Sequence, residues 1–118
     1  YATPRDWARF GLLYLNDGRF AGERILPEGW VGYSTTPTPA SLEARAYGAQ
    51  FWLNTRGENQ WMPAVPEDAY AARGHYGQSV IIIPSRQLVV VRMGQTFNPG
   101  AWDTEGFLVD LFDALPRN

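Results

Sequence analysis

The sequence predicts an α+β domain in which helices flank a small antiparallel sheet. Three observations support this prediction. An amphipathic helical pattern opens the chain, two strand-length apolar runs joined by a short turn lie near its end, and a second helical pattern closes it. The 118 residues are 45% hydrophobic and 19% charged, which suits one small domain with a real core and excludes a disordered chain.

The first element is a helix that we expect to begin after Thr3 and to end near Leu15. Thr3 can cap it, Pro4 suits its first turn, and Asp6 completes a capping box. The segment 16–18, Asn-Asp-Gly, is typical of a left-handed helix end. Apolar side chains recur at helical spacing and require a partner surface: Trp7, Phe10, Leu12, Leu13, Tyr14 and Leu15.

Short elements follow this helix. Arg19–Leu26 predicts two short strands around a glycine-containing turn, and Pro27–Val31 predicts a short helix opened by proline. The segment from Thr35 to Arg45 is rich in turn-forming residues and is predicted to be a loop. Strands are then expected at Tyr47–Leu53 and Ala69–Arg73, with a long loop between them.

The last part of the chain predicts a hairpin and a closing helix. Gln78–Ile83 and Leu88–Met93 are continuous apolar runs, and Pro84–Gln87 joins them as a tight turn. Continuous apolar strands indicate burial on both faces of a sheet. After a loop at 98–100, the pattern of Thr104–Leu115 predicts an amphipathic helix.

Composition excludes several kinds of function. All ten basic residues are Arg, so the chain has no phosphate-loop lysine, no Schiff-base lysine and no Ser-x-x-Lys pair. The net charge of −2 and the dispersed Arg residues give no basis for nucleic-acid binding. Cysteine is absent and His75 is the only histidine, which argues against a metal site. No apolar run is long enough to span a membrane, and nothing indicates a cofactor or a cellular compartment.

The residues alone indicate one region where chemistry could occur. His75 and Tyr76 lie between Gly74 and Gly77, and two glycines at this spacing mark a sharp turn or a close approach to the backbone. His75 could act as a base, but no Ser or Asp is spaced to suggest a triad, so the residues alone favour a plain turn histidine at a strand end. The pair Glu67-Asp68 lies in the long loop and is interpreted as solvated.

Two stretches carry a resemblance to a known family. The first runs from Thr3 to Trp30 and ends in a Leu-Pro-x-x-Trp segment. The second comprises Tyr47–Trp52 and Ala72–Val91, with a Gly-x-x-Gly-Gln turn at Gly74–Gln78. Together they resemble the serine β-lactamase and penicillin-binding-protein superfamily, in the class C-like and esterase branch that contains 6-aminohexanoate-dimer hydrolases.

The resemblance implies that the chain is the C-terminal part of a β-lactamase/transpeptidase-like fold. Residues 1–46 would be a remnant of the helical domain, and residues 47–118 would supply the last strands and the closing helix of the α/β domain. The family's Ser-x-x-Lys nucleophile and tyrosine motif lie upstream of the matched segment. Because the chain begins at Tyr1 without Met, we expect it to belong to a longer serine hydrolase and to be inactive alone.

The family's third motif, Lys-Thr-Gly or a variant, can be placed in two registers. The spacing from Gly77 to the proline at 84 favours Ala72-Arg73-Gly74, and the other register uses 75–77. In the favoured register the resemblance implies that the backbone N–H of His75 belongs to the oxyanion hole. The expected substrate-binding residues are Arg73, Gly74, Tyr76, Gly77 and Gln78. Alanine in the lysine position favours a small amide or ester substrate over a β-lactam.

Two other functions stay open. The chain could be a degenerate family domain that binds peptide or cell wall, or an unrelated interaction module, and the parent's upstream motifs would separate these from the hydrolase. If the N-terminal strands and helix of the family fold are missing, Leu88–Val91 should lie at a free sheet edge with one apolar face uncovered. Self-association, or binding of the missing N-terminal part, would follow.

Overall fold

The computed structural model describes residues 1–43 and 45–116 and contains helices on both sides of a four-stranded antiparallel sheet. The predicted α+β class is confirmed. Within the described ranges no helix is both long and apolar enough to cross a membrane. The helices and strands are α1 (Pro4–Leu15), β1 (Arg19–Phe20), β2 (Glu23–Arg24), α2 (Trp30–Ser34), β3 (Trp52–Leu53), β4 (Tyr70–Arg73), β5 (Ser79–Ile83), β6 (Leu88–Arg92) and α3 (Thr104–Ala114).

Helix α1 begins and ends where the sequence predicts. The Thr3 hydroxyl accepts a hydrogen bond from the Asp6 N–H at 3.1 Å, and the Asp6 carboxylate accepts one from the Thr3 N–H at 3.0 Å. These bonds from Thr3, the backbone one first, lower the pKa of the Asp6 carboxyl. After α1, Asp17 and Gly18 take positive φ values of 56° and 83°. Gly18 is required there because a Cβ would also lie 2.8 Å from Leu26 Cβ.

The sheet has the strand order β3-β4-β5-β6, and every neighbouring pair is antiparallel. Tyr70 pairs with Ile82 across β4 and β5, and Ser79 pairs with Arg92 across β5 and β6. Strands β1 and β2 form a separate two-stranded ribbon, as predicted for Arg19–Leu26. The C-terminal end of β4 and the N-terminal end of β5 therefore lie side by side, joined by the turn 74–78.

Each face of the sheet has its own core because side chains alternate along the strands. On one face, Ile81 and Ile83 of β5 pack with Leu108 and Phe112 of α3. On the other face, Val80 and Ile82 pack with aromatic residues of α1, and Gly11 lets α1 approach so closely that a Cβ there would collide with Val89. The domain boundary expected at residue 46 stays a prediction.

The structure corrects two expectations about the last hairpin. Burial on both faces holds for β5, but β6 is only half-buried because it forms an edge of the sheet. The edge position expected for Leu88–Val91 is thus present. The uncovered apolar face is wrong, since α1 covers one face and α3 the other. Self-association, and binding of an N-terminal part, stay predictions that now rest on the edge strand alone.

Two predicted elements are displaced. Tyr47–Leu53 is not one strand, because the chain turns back between Tyr47 and Trp52, with Gln50 at φ 71°, and only Trp52–Leu53 forms β3. The helix expected at Pro27–Val31 begins later, at Trp30, because Gly29 has a left-handed conformation with φ 83°.

The long loop after β3 is organised by one buried amide. Asn54 donates hydrogen bonds to the carbonyl oxygens of Met62, Val65 and Pro66 at 2.9–3.1 Å, and it accepts one from the Met62 N–H at 2.7 Å. The Met62 and Pro66 carbonyls also accept backbone N–H groups, whereas the Met62 N–H and the Val65 carbonyl have no other partner among the described residues. Asn54 thereby fixes the loop that carries Trp61.

Candidate functional site

The ends of β4 and β5 open into a cleft of about 630 Å³. The cleft is lined by the segment 73–79, by Trp61 and Met62, and by residues of the segment 96–105. All six site residues predicted from the sequence line this cleft: Arg73, Gly74, His75, Tyr76, Gly77 and Gln78. The structure therefore brings the predicted set together at one place, at the end of two central strands.

The turn between the strands is closed by its own hydrogen bonds. The Gly74 N–H donates to the Gln78 carbonyl at 2.7 Å, and the Gln78 side-chain amide donates to the His75 carbonyl at 3.0 Å. Tyr76 takes a left-handed conformation (φ 58°, ψ 28°), which is uncommon for a residue with a Cβ, and Gly77 follows at φ 77°. The turn is thus a rigid, strained backbone feature.

Two successive backbone N–H groups of this turn have no acceptor within the described part of the chain. The N–H groups of His75 and Tyr76 donate to neither backbone nor side-chain atoms there, whereas the Gly77 N–H points back to the Gly74 carbonyl in the 3₁₀ turn. A helical residue followed by a left-handed one turns neighbouring N–H groups toward a common point and forms a concave anion-binding nest. The arrangement can therefore stabilise a negatively charged oxygen.

Arg73 provides the positive charge closest to the turn in sequence. Its guanidinium carbon lies 4.2 Å from the centre of the Trp61 ring and 5.1 Å from that of Trp52. Loss of water contact beside the two indoles lowers the pKa of this guanidinium. Among the described ion pairs none involves Arg73, so its N–H donors remain available to a ligand.

The side chain of His75 shows no arrangement for base catalysis. Its ring stacks on Tyr76 with the centroids 3.7 Å apart, and Tyr76 in turn contacts Phe97 at 4.8 Å. The loop carboxylates are engaged elsewhere, because Glu67 pairs with Arg56 at 3.2 Å and Asp68 accepts hydrogen bonds from Ser85. In the ranges that the structure covers, no three metal-ligating side chains cluster.

Sequence reasoning missed the cleft lining from the segment 96–105 and the residue beneath the turn. That lining includes Phe97, Pro99, Trp102, Asp103 and Glu105. Beneath the turn, Arg92 donates hydrogen bonds to the Gly77 carbonyl at 2.9 Å and to the Thr96 hydroxyl at 2.5 Å. The one available signal was an arginine at the end of an otherwise apolar strand, and it does not indicate which turn the side chain contacts.

A family model described as Beta-lactamase matches residues 1–113 of the chain. The chain belongs to the Beta-lactamase family. The resemblance inferred from the two sequence stretches is thereby confirmed. No curated protein matches the chain significantly.

The fold of this family member is also that of a solved structure. The structure described as "Putative 6-aminohexanoate-dimer hydrolase from Bacillus anthracis" superimposes with a TM-score of 0.69 at 27% sequence identity. The match covers 98% of this chain but 30% of that one. The chain therefore corresponds to less than a third of the length of that structure, and the expected β-lactamase-like fold fragment is confirmed.

Proposed function

We propose that this segment supplies the oxyanion-stabilising turn of a β-lactamase-like serine hydrolase that cleaves a small amide or ester through an acyl-enzyme. The observation that supports the proposal most directly is the pair of N–H groups at His75 and Tyr76, which have no acceptor among the described residues and belong to residues that line the cleft. The nucleophile would come from upstream sequence, because this chain contains no lysine to activate a Ser-x-x-Lys serine.

The chemical role of the turn is electrostatic. When a serine attacks an ester or amide carbonyl, negative charge develops on the carbonyl oxygen, and a fixed N–H donor stabilises it by about 3–4 kcal/mol in the transition state. A donor held by a rigid turn needs no reorganisation at that moment. The short bond between the Gly74 N–H and the Gln78 carbonyl gives the turn that rigidity.

The local structure favours one of the two registers for the third motif. Ala72 and Arg73 lie in β4, whereas residues 75–77 form a single 3₁₀ turn and not a strand. A strand-borne Ala72-Arg73-Gly74 motif followed by the His75 N–H is consistent with this division. Arg73, stacked beside two indoles, would then contact a polar or anionic group of the substrate. Tyr76, Gly77 and Gln78 would line the space that the acyl group of the substrate occupies.

Substitution of His75 tests the proposal through its backbone. His75→Pro removes the N–H, and proline suits the first position of a helical turn when the preceding residue is extended, as Gly74 is (φ −121°, ψ −175°). His75→Ala keeps the N–H and removes the ring. In the full-length hydrolase assayed with a p-nitrophenyl ester, we expect His75→Pro to lower kcat about a hundredfold or more and His75→Ala to change it little.

The opposite ranking of these variants would assign the chemistry to the imidazole and would refute the proposed role of the backbone. A folded His75→Pro protein that keeps wild-type kcat would refute it as well. Circular dichroism of both variants verifies that the comparison is made between folded proteins.

A second candidate is a non-catalytic family domain that binds peptide or cell-wall material. Alanine at the lysine position of the motif favours it, because that cation would otherwise hold a substrate group. The upstream sequence of the parent separates the two functions. A Ser-x-x-Lys and a tyrosine motif would support the hydrolase, and their loss would support the binding domain.

A further inference from the structure

The turn is also held by a side chain from the neighbouring strand β6. Arg92, the last residue of β6, donates through Nη1 to the Gly77 carbonyl at 2.9 Å and through Nη2 to the Thr96 hydroxyl at 2.5 Å. Its guanidinium carbon lies 4.2 Å from the centre of the Trp102 ring. The two hydrogen bonds and the stacking contact together hold the planar guanidinium in one orientation. A lysine ammonium group could not make the same set of contacts.

Two glycines, Gly77 and Gly94, lie directly against this guanidinium. A Cβ at Gly77 would lie 2.9 Å from Arg92 Nη1, and a Cβ at Gly94 would lie 2.7 Å from Arg92 Nη2. Both distances are shorter than side-chain atoms tolerate. Two glycines on different sides of the group thus allow the close approach that the hydrogen bonds require.

The contacts of Arg92 act on the orientation of the peptide groups in the turn. The Thr96 N–H donates to the Tyr76 carbonyl at 2.9 Å, while Arg92 holds the Thr96 side chain. In a trans peptide the C=O and the next N–H point in opposite directions. Fixing the Tyr76 carbonyl on Thr96 therefore directs the Gly77 N–H away from Thr96, and fixing the Gly77 carbonyl on Arg92 fixes the next peptide plane.

We infer that Arg92 is a positioning residue, which holds the left-handed Tyr76-Gly77 turn so that its N–H groups stay aligned for the oxyanion. The inference rests on the proposed function of the turn. Without the guanidinium, the strained conformation at Tyr76 loses its support, and a donor displaced by about 1 Å costs up to a hundredfold in rate. Substrate contacts at Arg73 stay in place, so binding should change less than turnover.

The test uses the full-length hydrolase with three variants. Arg92→Met keeps the length of the side chain but removes the fork, and Arg92→Lys keeps only the charge. Arg86→Met is the matched control. The Arg86 guanidinium also stacks on an aromatic ring at 4.2 Å, that of Phe112, but Arg86 lies in the turn at the other end of β5. With a p-nitrophenyl ester, we expect Arg92→Met to lower kcat about tenfold with KM within twofold, Arg92→Lys to recover part of the loss, and Arg86→Met to change neither constant.

Wild-type kcat in Arg92→Met, or an equal loss of kcat in Arg86→Met, would overturn the inference. If Arg92→Met does not fold, Thr96→Val tests the same role, because it removes the hydrogen bond between Arg92 and the Thr96 hydroxyl. We expect Thr96→Val to lower kcat a few fold, and an unchanged kcat would refute the positioning role of Arg92. The proposed function fails separately. A fully active His75→Pro rejects the oxyanion turn, whereas an inactive His75→Pro beside a fully active Arg92→Met rejects only the positioning role.

Discussion

The two turns at the ends of β5 have similar local structure. Each is a single 3₁₀ turn, at His75–Gly77 and at Pro84–Arg86, and each includes a residue other than glycine in the left-handed region, Tyr76 at φ 58° and Gln87 at φ 48°. Each also lies beside an arginine stacked on an aromatic ring at 4.2 Å. Local backbone geometry therefore does not distinguish the turn proposed to bind the oxyanion from a connecting one.

The two turns differ in what happens to their N–H groups. In the 84–87 turn, Pro84 has no N–H, Ser85 donates to Asp68 at 2.7 Å, and Gln87 donates to the Pro84 carbonyl at 2.9 Å. In the 74–78 turn, the N–H groups of His75 and Tyr76, two residues that line the cleft, have no acceptor in the described structure. Because these residues are exposed, their donors are open to water or to a ligand, as the proposed oxyanion role requires.

The largest expected difference between the turns concerns catalysis. Gly74 has ordinary backbone angles, and a Cβ there would meet its nearest atom at 3.7 Å, so Gly74→Val should fold. The added side chain would stand where the acyl group approaches the turn. We expect kcat of the full-length hydrolase to fall about a hundredfold or more, whereas Ser85→Val in the other turn should leave kcat unchanged. A fully active Gly74→Val would move the functional site away from the strand end.

A smaller difference concerns stability. Gly77→Ala should lower the free energy of unfolding by about 1–2 kcal/mol, because alanine is strained at φ 77° and its Cβ would crowd Arg92. Gln87→Gly should raise it by up to about 1 kcal/mol, since glycine relieves the strain at φ 48°. Urea denaturation of both variants measures the two changes. Wild-type stability in Gly77→Ala, or a loss of stability in Gln87→Gly, would contradict the strain assigned to these positions.

For the serines beside the two turns we expect no catalytic activity in the isolated chain. Ser79 follows the first turn and Ser85 lies in the second, and with no lysine in the chain neither has the activating base of the family. The 118-residue chain alone should neither hydrolyse a p-nitrophenyl ester or a chromogenic β-lactam nor become labelled by a fluorophosphonate. Stoichiometric labelling of Ser34, Ser41, Ser79 or Ser85 would show that a nucleophile is present in the segment.

Much of the fold follows from local signals in the sequence. The capping box at Thr3 and Asp6 defines the start of α1, and the apolar runs on either side of Pro84 define β5 and β6. The prediction of one strand at Tyr47–Leu53 was wrong, because alternating aromatic and small residues are compatible with a tight turn as well as with a strand. Only the pairing of Tyr47 with Trp52 decides between the two.

The sequence by itself determined the long helices, the antiparallel hairpin and the family, and it proposed the segment 73–78 as the place for chemistry, because each depends on residues that are close together in the chain. Tertiary structure alone decided which residues face that segment. Arg92 reaches the turn, and Trp102 and Trp61 reach the cleft, because strand pairing and the Asn54-bound loop bring distant positions together. A local pattern specifies backbone conformation, but the partner of a side chain across a sheet or cleft depends on packing of the whole domain.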